Sequence, residues 1–146
     1  MYVHTHNVLE ALENDSDFKS LDDSDKELMH SACALHDIGK KTATKLVDGH
    51  WASPKHGSIG SRAARKLLWK DFGLAGSEES YEFREALCAL IFTHCMPTHF
   101  MSQKDQSPEF IVQKLASIGC QFKRFSLKKL SILVRADLNG RTANDR

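Results

Sequence analysis

The sequence predicts an all-α protein, a compact single domain of about six helices spanning residues 1–146. Apolar residues recur at three- and four-residue spacings along most of the chain, as they do on the buried face of a helix. No segment shows the sustained alternation of apolar and polar residues that is typical of a strand. A chain of this length can bury about 70% of its unfolded surface, so one core is expected.

The first two helices are predicted over residues 3–12 and from about Ser24 to Gly39. Ser24 and Glu27 have the spacing of a capping box, in which each side chain satisfies a free amide at the helix start. Gly39 is well placed to end the second helix. The polar, acidic residues 14–23 between the two helices predict a loop.

The four later helices are predicted over residues 57–72, 78–95 and 107–118 and from Ser126 onward, with Ser126 as the N-cap of the last one. Pro97 is expected to stop the second of these, because proline disfavours helical geometry in the residue before it. Ser107 followed by Pro108 is typical of an N-cap and a first helical position. Residues 40–55 carry glycine, tryptophan and proline and predict an irregular connection.

The composition is that of an ordinary soluble globular protein, with 41% hydrophobic and 27% charged residues and a net charge of +1. Overall charge therefore indicates neither a nucleic-acid nor a membrane partner, although basic residues cluster near the end of the chain. The four cysteines form no C-x-x-C pair and predict reduced thiols in a cytoplasmic protein. No run approaches the roughly 18 apolar residues of a membrane span.

Eight histidines stand out, and His36 is directly followed by Asp37 at the predicted end of the second helix. Adjacent helical side chains diverge by about 100°, so one can reach a metal while the other bridges or meets a second ion. An unpaired aspartate in this apolar helix would be costly to bury, and a bound cation removes that cost. The alternative is a helix-terminal His-Asp pair in solvent, without function.

Three segments carry a more specific pattern: HTHNVLE at residues 4–10, ALHDIGK at 34–40 and ADLNGR at 136–141. In this order they resemble the HD-domain superfamily of metal-dependent phosphohydrolases, whose pattern is a histidine, a His-Asp pair and a distant aspartate on helices. The resemblance covers nearly the whole chain. It implies an all-helical fold and hydrolysis of phosphate esters.

The resemblance also implies roles for individual residues. The implied metal ligands are His4, His36, Asp37 and Asp137, with His56 and His94 as ligands of a second metal or as phosphate contacts. For His56 and His94, capping of a helix end is the alternative. Asp37 is also a candidate base that orients water, and Lys40 and Arg141 are candidate phosphate clamps. Nitrogen and carboxylate donors without thiolates favour one or two divalent ions: Mn, Fe, Co, Ni or Zn, with Mg also compatible.

Residues 41–56 and Gly60 are similar to HD modules in two settings: the tail of bacterial tRNA nucleotidyltransferases, and fusions to kinase-type ATPases. The expected substrate is therefore a nucleotide or an RNA end carrying a phosphate ester. The expected partner is a fused or associated kinase or nucleotidyltransferase domain. This chain contains no P-loop and no nucleotidyltransferase signature, so such a domain is not within it.

The remaining histidines are expected to lie outside the chemistry. His6 is about 200° around the helix from His4 and should face away, and His30 should lie on another face than His36. His50 and His99 are predicted in loops, where substrate contact is the alternative to solvation. The cluster of Lys123, Arg124, Lys128 and Lys129 predicts a solvated face, with RNA binding as the alternative.

Three classes of function compete at this point. The favoured one is a phosphohydrolase, acting as a phosphodiesterase on 2′,3′-cyclic phosphate, a phosphomonoesterase on small nucleotides or a triphosphohydrolase. The second is a non-catalytic nucleotide- or RNA-sensing HD module that regulates a partner domain. The third, a helical scaffold with incidental histidines, leaves the spacing of the four motif residues unexplained. Residues 40–55 and 97–107 should flank the site and set the substrate.

Overall fold

Six long helices make up most of the part of the chain that the structure describes, and they confirm the predicted all-α fold. The structure is a computed structural model and describes residues 2–103 and 105–142. The long helices are α1 (Tyr2–Asn14), α3 (Asp23–Leu35), α5 (His56–Lys70), α6 (Glu78–Thr93), α8 (Pro108–Gly119) and α9 (Leu127–Asn139). They are connected by short helices α2 (Ser16–Lys19), α4 (Lys40–Ala43) and α7 (Met96–Met101), and by strands β1 (Lys45–Val47) and β2 (His50–Ala52).

Helix α6 lies at the centre of the core. It packs against α3, α5, α8 and α9, while α1 packs against α3 and α9. Large side chains from these helices are fully excluded from solvent, among them Val8, Leu12, Leu28, Met29, Leu87, Leu90, Ile132 and Leu133. Burying each such side chain contributes roughly 1.5–3 kcal/mol, which makes this cluster the main source of stability.

Two of the four cysteines contribute to the core as small apolar side chains. All four are free thiols, and Cys33 and Cys88 are fully buried. Burial raises the pKa of the Cys88 thiol to about 11, so that this side chain stays uncharged.

Among the described residues, no helix combines the length and the apolar character that crossing a membrane requires.

Two predicted helix N-caps are confirmed by the structure, and a third is wrong. Ser107 and Ser126 are N-caps as predicted, each accepting a hydrogen bond from a backbone amide three residues on. The predicted capping box of Ser24 and Glu27 is wrong. Asp22 caps α3 instead, its carboxylate accepting from the Asp25 amide at 2.8 Å, because an ionised acceptor two residues earlier allows the helix to start sooner.

Three predicted connections contain regular structure. The loop predicted over residues 14–23 contains α2, whose start is capped by the side chain of Asp15. The predicted helix 78–95 ends earlier, at Thr93, and Pro97 begins the next helix instead of stopping this one. Proline is tolerated in the first turn of α7 because the amide that it lacks would have no helical partner there. The predicted irregular segment 40–55 contains α4 and an antiparallel hairpin. Asp48 and Gly49 have φ values of 49° and 80°, as a two-residue type I′ hairpin turn requires.

Gly39 matters through its missing side chain and not as a helix terminator. Helix α3 ends earlier, at Leu35, and Gly39 has an ordinary right-handed φ of −71°. A Cβ atom at Gly39 would lie 2.1 Å from the His56 carbonyl oxygen and 2.6 Å from the Gly60 nitrogen. Only glycine therefore lets the turn after α3 pack directly on the first turn of α5.

Gly39→Ala is expected to lower the free energy of unfolding by roughly 1–3 kcal/mol, because the added methyl group meets backbone atoms that must shift. Gly76→Ala is the matched control, since a Cβ atom there meets nothing within 4 Å and the residue has no positive φ. Urea unfolding followed by circular dichroism measures both. Equal stability of the two variants would contradict the proposed close contact.

Candidate metal centre

Four histidines and two aspartates from five segments of the chain meet at one site. They are His4 on α1, His36 and Asp37 in the turn after α3, His56 at the start of α5, His94 at the end of α6 and Asp137 on α9. Five of the six are buried, and His56 is half-buried. The structure thus brings together all six residues that the sequence motifs identify as candidate metal ligands.

Each of the four histidines has its Nδ1 atom on a backbone carbonyl. The pairs are His4 with Gly140 at 3.3 Å, His36 with Cys33 at 2.7 Å, His56 with Ser53 at 2.9 Å and His94 with Ile91 at 2.6 Å. A carbonyl oxygen only accepts hydrogen bonds, so Nδ1 carries the proton in each ring. In the neutral ring, Nε2 is then left with a lone pair, which is the form that binds a metal.

The local structure explains these carbonyl contacts. His36 and His94 are C-cap residues, and each bonds the carbonyl three residues back, in a last turn whose carbonyls lack helical partners. The His4 contact depends on Gly140 at the end of α9. A Cβ atom at Gly140 would lie 2.7 Å from the backbone nitrogen of Val8, so a larger residue could not bring this carbonyl so close to α1.

The carboxylate of Asp37 lies between two sets of Nε2 atoms. On one side, Oδ2 lies 3.3 Å from Nε2 of His36 and 3.7 Å from Nε2 of His4. On the other side, Oδ1 lies 3.6 Å from Nε2 of His56 and 3.7 Å from Nε2 of His94. The two oxygens of one aspartate therefore each face a separate pair of histidines.

The spacing within each set fits the ligands of a metal ion. Asp137 Oδ1 completes the first set, 3.0 Å from Nε2 of His4 and 3.6 Å from Nε2 of His36. In the second set, the Nε2 atoms of His56 and His94 are 3.2 Å apart. Donors about 2.1 Å from one ion are about 3.0–3.4 Å apart at octahedral or tetrahedral angles. These side chains could hold a metal ion without large rearrangement.

The electrostatics of the site also favour a cation. Burial acts to lower the pKa of His36, but the carboxylates of Asp137 and Asp37 outweigh it and raise the pKa to about 9. Burial acts to raise the pKa of Asp37, yet His36, His94 and Lys40 hold it far below its usual range. Nε2 of His36 is buried among carboxylate oxygens, 3.3 Å from Oδ2 of Asp37 and 3.6 Å from Oδ1 of Asp137.

Lys40 and Arg141 lie at the rim of the site and not among its buried candidate ligands. Lys40 Nζ forms an ion pair with Asp37 Oδ2 at 2.6 Å, and Arg141 Nη2 donates to Asp137 Oδ2 at 2.8 Å. Their side chains are 38% and 45% exposed, so they reach the two carboxylates from the solvent side. In this structure, Lys40 and Arg141 neutralise the carboxylates of Asp37 and Asp137. Their contact with a substrate phosphate stays a prediction.

Cys95 is a member of the site that sequence reasoning assigned only as a free thiol. Its Sγ atom and one ring nitrogen each of His56 and His94 lie within 4.8 Å of one another. Burial raises the pKa of the Cys95 thiol, which disfavours the thiolate form that binds metals. Its position directly after His94 was the available signal in the sequence.

The other four histidines lie outside the site. His6 is exposed on α1, as predicted from its angle to His4. His30 contacts Glu13 and the ring of Phe18 and not the metal ligands. His50 lies in β2, and His99 lies in α7 beside Gln103, so both predicted loop positions belong to regular structure.

Comparison with known proteins adds no relatives. No family model, no curated protein and no solved structure matches this chain. The resemblance to the HD-domain superfamily therefore stays a prediction from sequence motifs. The capacity of the site to bind a metal ion rests on the geometry of its own side chains.

Metal affinity should rise with pH up to about 9. In the metal-free protein His36 is protonated below that pH, and a metal must displace the proton before Nε2 can bind. Calorimetry of Co²⁺ binding in buffers of different ionisation enthalpy counts the released protons. About one proton per site is expected near pH 7, and His30→Ala, outside the site, should leave that number unchanged. Binding without proton release would contradict the raised pKa.

Proposed function

We propose that this chain is a metal-dependent phosphohydrolase of the HD-domain type, acting on the phosphate ester of a nucleotide or an RNA end. The observation that carries the proposal is the position of Asp37, whose two carboxylate oxygens face two separate pairs of histidine Nε2 atoms. The HD-type motifs support the reaction class. If two ions bind, Asp37 would be a ligand to both, since each of its oxygens faces a different pair of histidines.

The donor set supports the choice of metal. One group consists of His4, His36 and Asp137 and the other of His56 and His94, with Asp37 shared between them. Imidazole and carboxylate donors suit Mn²⁺, Fe²⁺, Co²⁺, Ni²⁺ or Zn²⁺, while Mg²⁺ prefers oxygen donors. When bound, such ions supply Lewis acidity and lower the pKa of water, which provides a nucleophile near neutral pH.

Asp37 orients groups and is a poor general base. Its lowered pKa keeps the carboxylate ionised, so it accepts hydrogen bonds well but takes up a proton poorly. The carboxylate is also held between histidines whose rings are fixed at Nδ1. Asp37 can therefore align a water molecule for in-line attack without changing its own charge. The new P–O bond forms as the ester P–O bond breaks, and the departing alkoxide takes up the proton that the water loses, directly or through solvent.

Lys40 and Arg141 supply positive charge on the side where substrate enters. Both cations are partly exposed and already lie against carboxylate oxygens. A substrate phosphate offers oxygens of the same kind, and the planar guanidinium can bind two of them at once. These two side chains would bind the phosphate group and neutralise charge on it during attack.

Metal binding can be tested with two variants of the same helix. His4→Ala removes a candidate ligand, and His6→Ala removes an exposed histidine two residues away. We expect about two ions per wild-type chain and per His6→Ala chain, and fewer in His4→Ala, by elemental analysis after loading with Mn²⁺ or Co²⁺. At about 100 times the dissociation constant, each bound ion should raise the melting temperature by about 5–10 °C.

The proposal fails if the loaded wild-type protein holds no metal and gains no thermal stability. Variants of His56 and His94 show whether the protein binds one ion or two. His56→Ala and His94→Ala should each lower the stoichiometry from about two to about one, while the first ion keeps His4, His36 and Asp137. An unchanged stoichiometry in both variants would contradict the two-ion arrangement around Asp37.

Hydrolysis is tested with bis-p-nitrophenyl phosphate in the presence of Mn²⁺ or Co²⁺. His36→Ala should reduce the rate by at least about a hundredfold, because it removes a direct ligand, while its helical circular dichroism is retained. His30→Ala is the matched control. Equal rates in the two variants would place the chemistry elsewhere. Metal binding without any hydrolysis would favour the sensing module over the enzyme.

A further inference from the structure

The β1–β2 hairpin projects from the protein without a core of its own. All six of its strand residues are exposed. Leu46 and Trp51 are cross-strand partners on one face, and they are 60% and 76% exposed. An isolated two-stranded hairpin is only marginally stable in water, so packing does not explain a tryptophan in this position.

Both ends of the hairpin are joined to the candidate metal centre. Thr44, just before β1, bonds the Lys40 carbonyl at 2.6 Å and the Ser53 hydroxyl at 2.8 Å. Lys40 pairs with Asp37, and the Ser53 carbonyl accepts from His56 Nδ1. A group held by the hairpin is therefore held next to the metal ligands.

The segment that contains the hairpin is strongly basic, although the whole chain is nearly neutral. Residues 38–70 contain eight lysines and arginines and a single acidic residue, Asp48. The rest of the chain contains 12 basic and 18 acidic residues. The positive charge is thus concentrated on the part of the sequence that carries the hairpin and helix α5.

Most of these eight lysines and arginines have no carboxylate partner in the part of the chain that the structure describes. Lys40 and Arg65 are the two that form ion pairs with described residues. Within the described residues, the cations without such a partner are Lys41, Lys45, Lys55, Arg62, Lys66 and Lys70. The basic cluster near the end of the chain differs, because its cations face acidic groups: Lys123 with Glu78, Lys128 with Asp17, and Arg124 and Lys129 with Asp25.

We propose that the hairpin is a binding arm for single-stranded nucleic acid whose terminal phosphate lies in the metal centre. Trp51 stacks on a base, and Lys41, Lys45 and Lys55 contact backbone phosphates. Aromatic side chains beside a basic groove are the usual features of such binding. A single nucleotide carries too few phosphate charges to match so many cations without a carboxylate partner. A nucleic-acid strand carries one negative phosphate charge per nucleotide. This inference rests on the proposed function and names the substrate class.

Binding is measured by fluorescence anisotropy with a fluorescein-labelled 12-mer oligouridylate in EDTA, so that hydrolysis does not interfere. Trp51→Ala should weaken binding by at least about fivefold, the loss expected for one base stack. The matched control is Phe110→Ala, an exposed aromatic residue on α8, 47% exposed, which should bind like wild type. A deoxyuridylate 12-mer shows whether the ribose hydroxyl groups contribute.

The lysines are tested through the salt dependence of binding. Each phosphate contact of a single strand contributes about 0.7 to the slope of log affinity against log salt concentration. The double variant Lys45→Ala, Lys55→Ala should lower that slope by about 1.4. The double variant Lys123→Ala, Lys128→Ala removes the same charge from cations that already face carboxylates, and should leave the slope unchanged.

Stacking has its own spectroscopic signal. In Trp69→Phe, the tryptophan emission comes from Trp51 alone, because the chain contains two tryptophans. The oligonucleotide should quench that emission.

Absence of wild-type binding at low salt, equal binding by Trp51→Ala, or an unquenched Trp51 would each overturn the inference. Hydrolysis of bis-p-nitrophenyl phosphate by the wild type tests the proposed function separately, so either can fail alone.

Discussion

The structure of the site depends on the buried, ionised carboxylate of Asp37. A charge at this depth is costly unless opposite charge or hydrogen-bond donors surround it. The fold supplies Lys40 at one oxygen and pairs of histidines at both. Because those histidines come from α1, α5 and α6 and from the turn after α3, the helices must meet at this point. A bound cation would satisfy the same requirement.

Backbone geometry gives the site its precision. The histidine rings are held by carbonyls, two of them in helix last turns that would otherwise lack partners. Gly39 and Gly140 allow the contacts that bring the ligand-bearing segments together, since a side chain at either position would meet backbone atoms of a neighbouring element. Ligand positions therefore depend on tertiary packing and on residues that bear no ligand.

The fold and the candidate metal ligands could be predicted from sequence because both are marked by local signals. Apolar spacing identifies the long helices, and the short motifs around His4, His36 and Asp137 indicate the candidate ligands. The hairpin was missed although Asp48-Gly49 is a strong turn signal, because its strands are short and fully exposed and have no buried face to produce alternation. The close contacts of Gly39 could not be predicted, because they depend on packing between elements.

The most direct test is anomalous diffraction from crystals of the protein loaded with Mn²⁺ or Co²⁺. Two anomalous-difference peaks are expected. One should lie within ligand distance of Oδ1 of Asp37, and the other within ligand distance of Oδ2. The first should also lie near His56 and His94, and the second near His4 and His36. A single peak away from Asp37, or none in protein saturated with metal, would contradict the account.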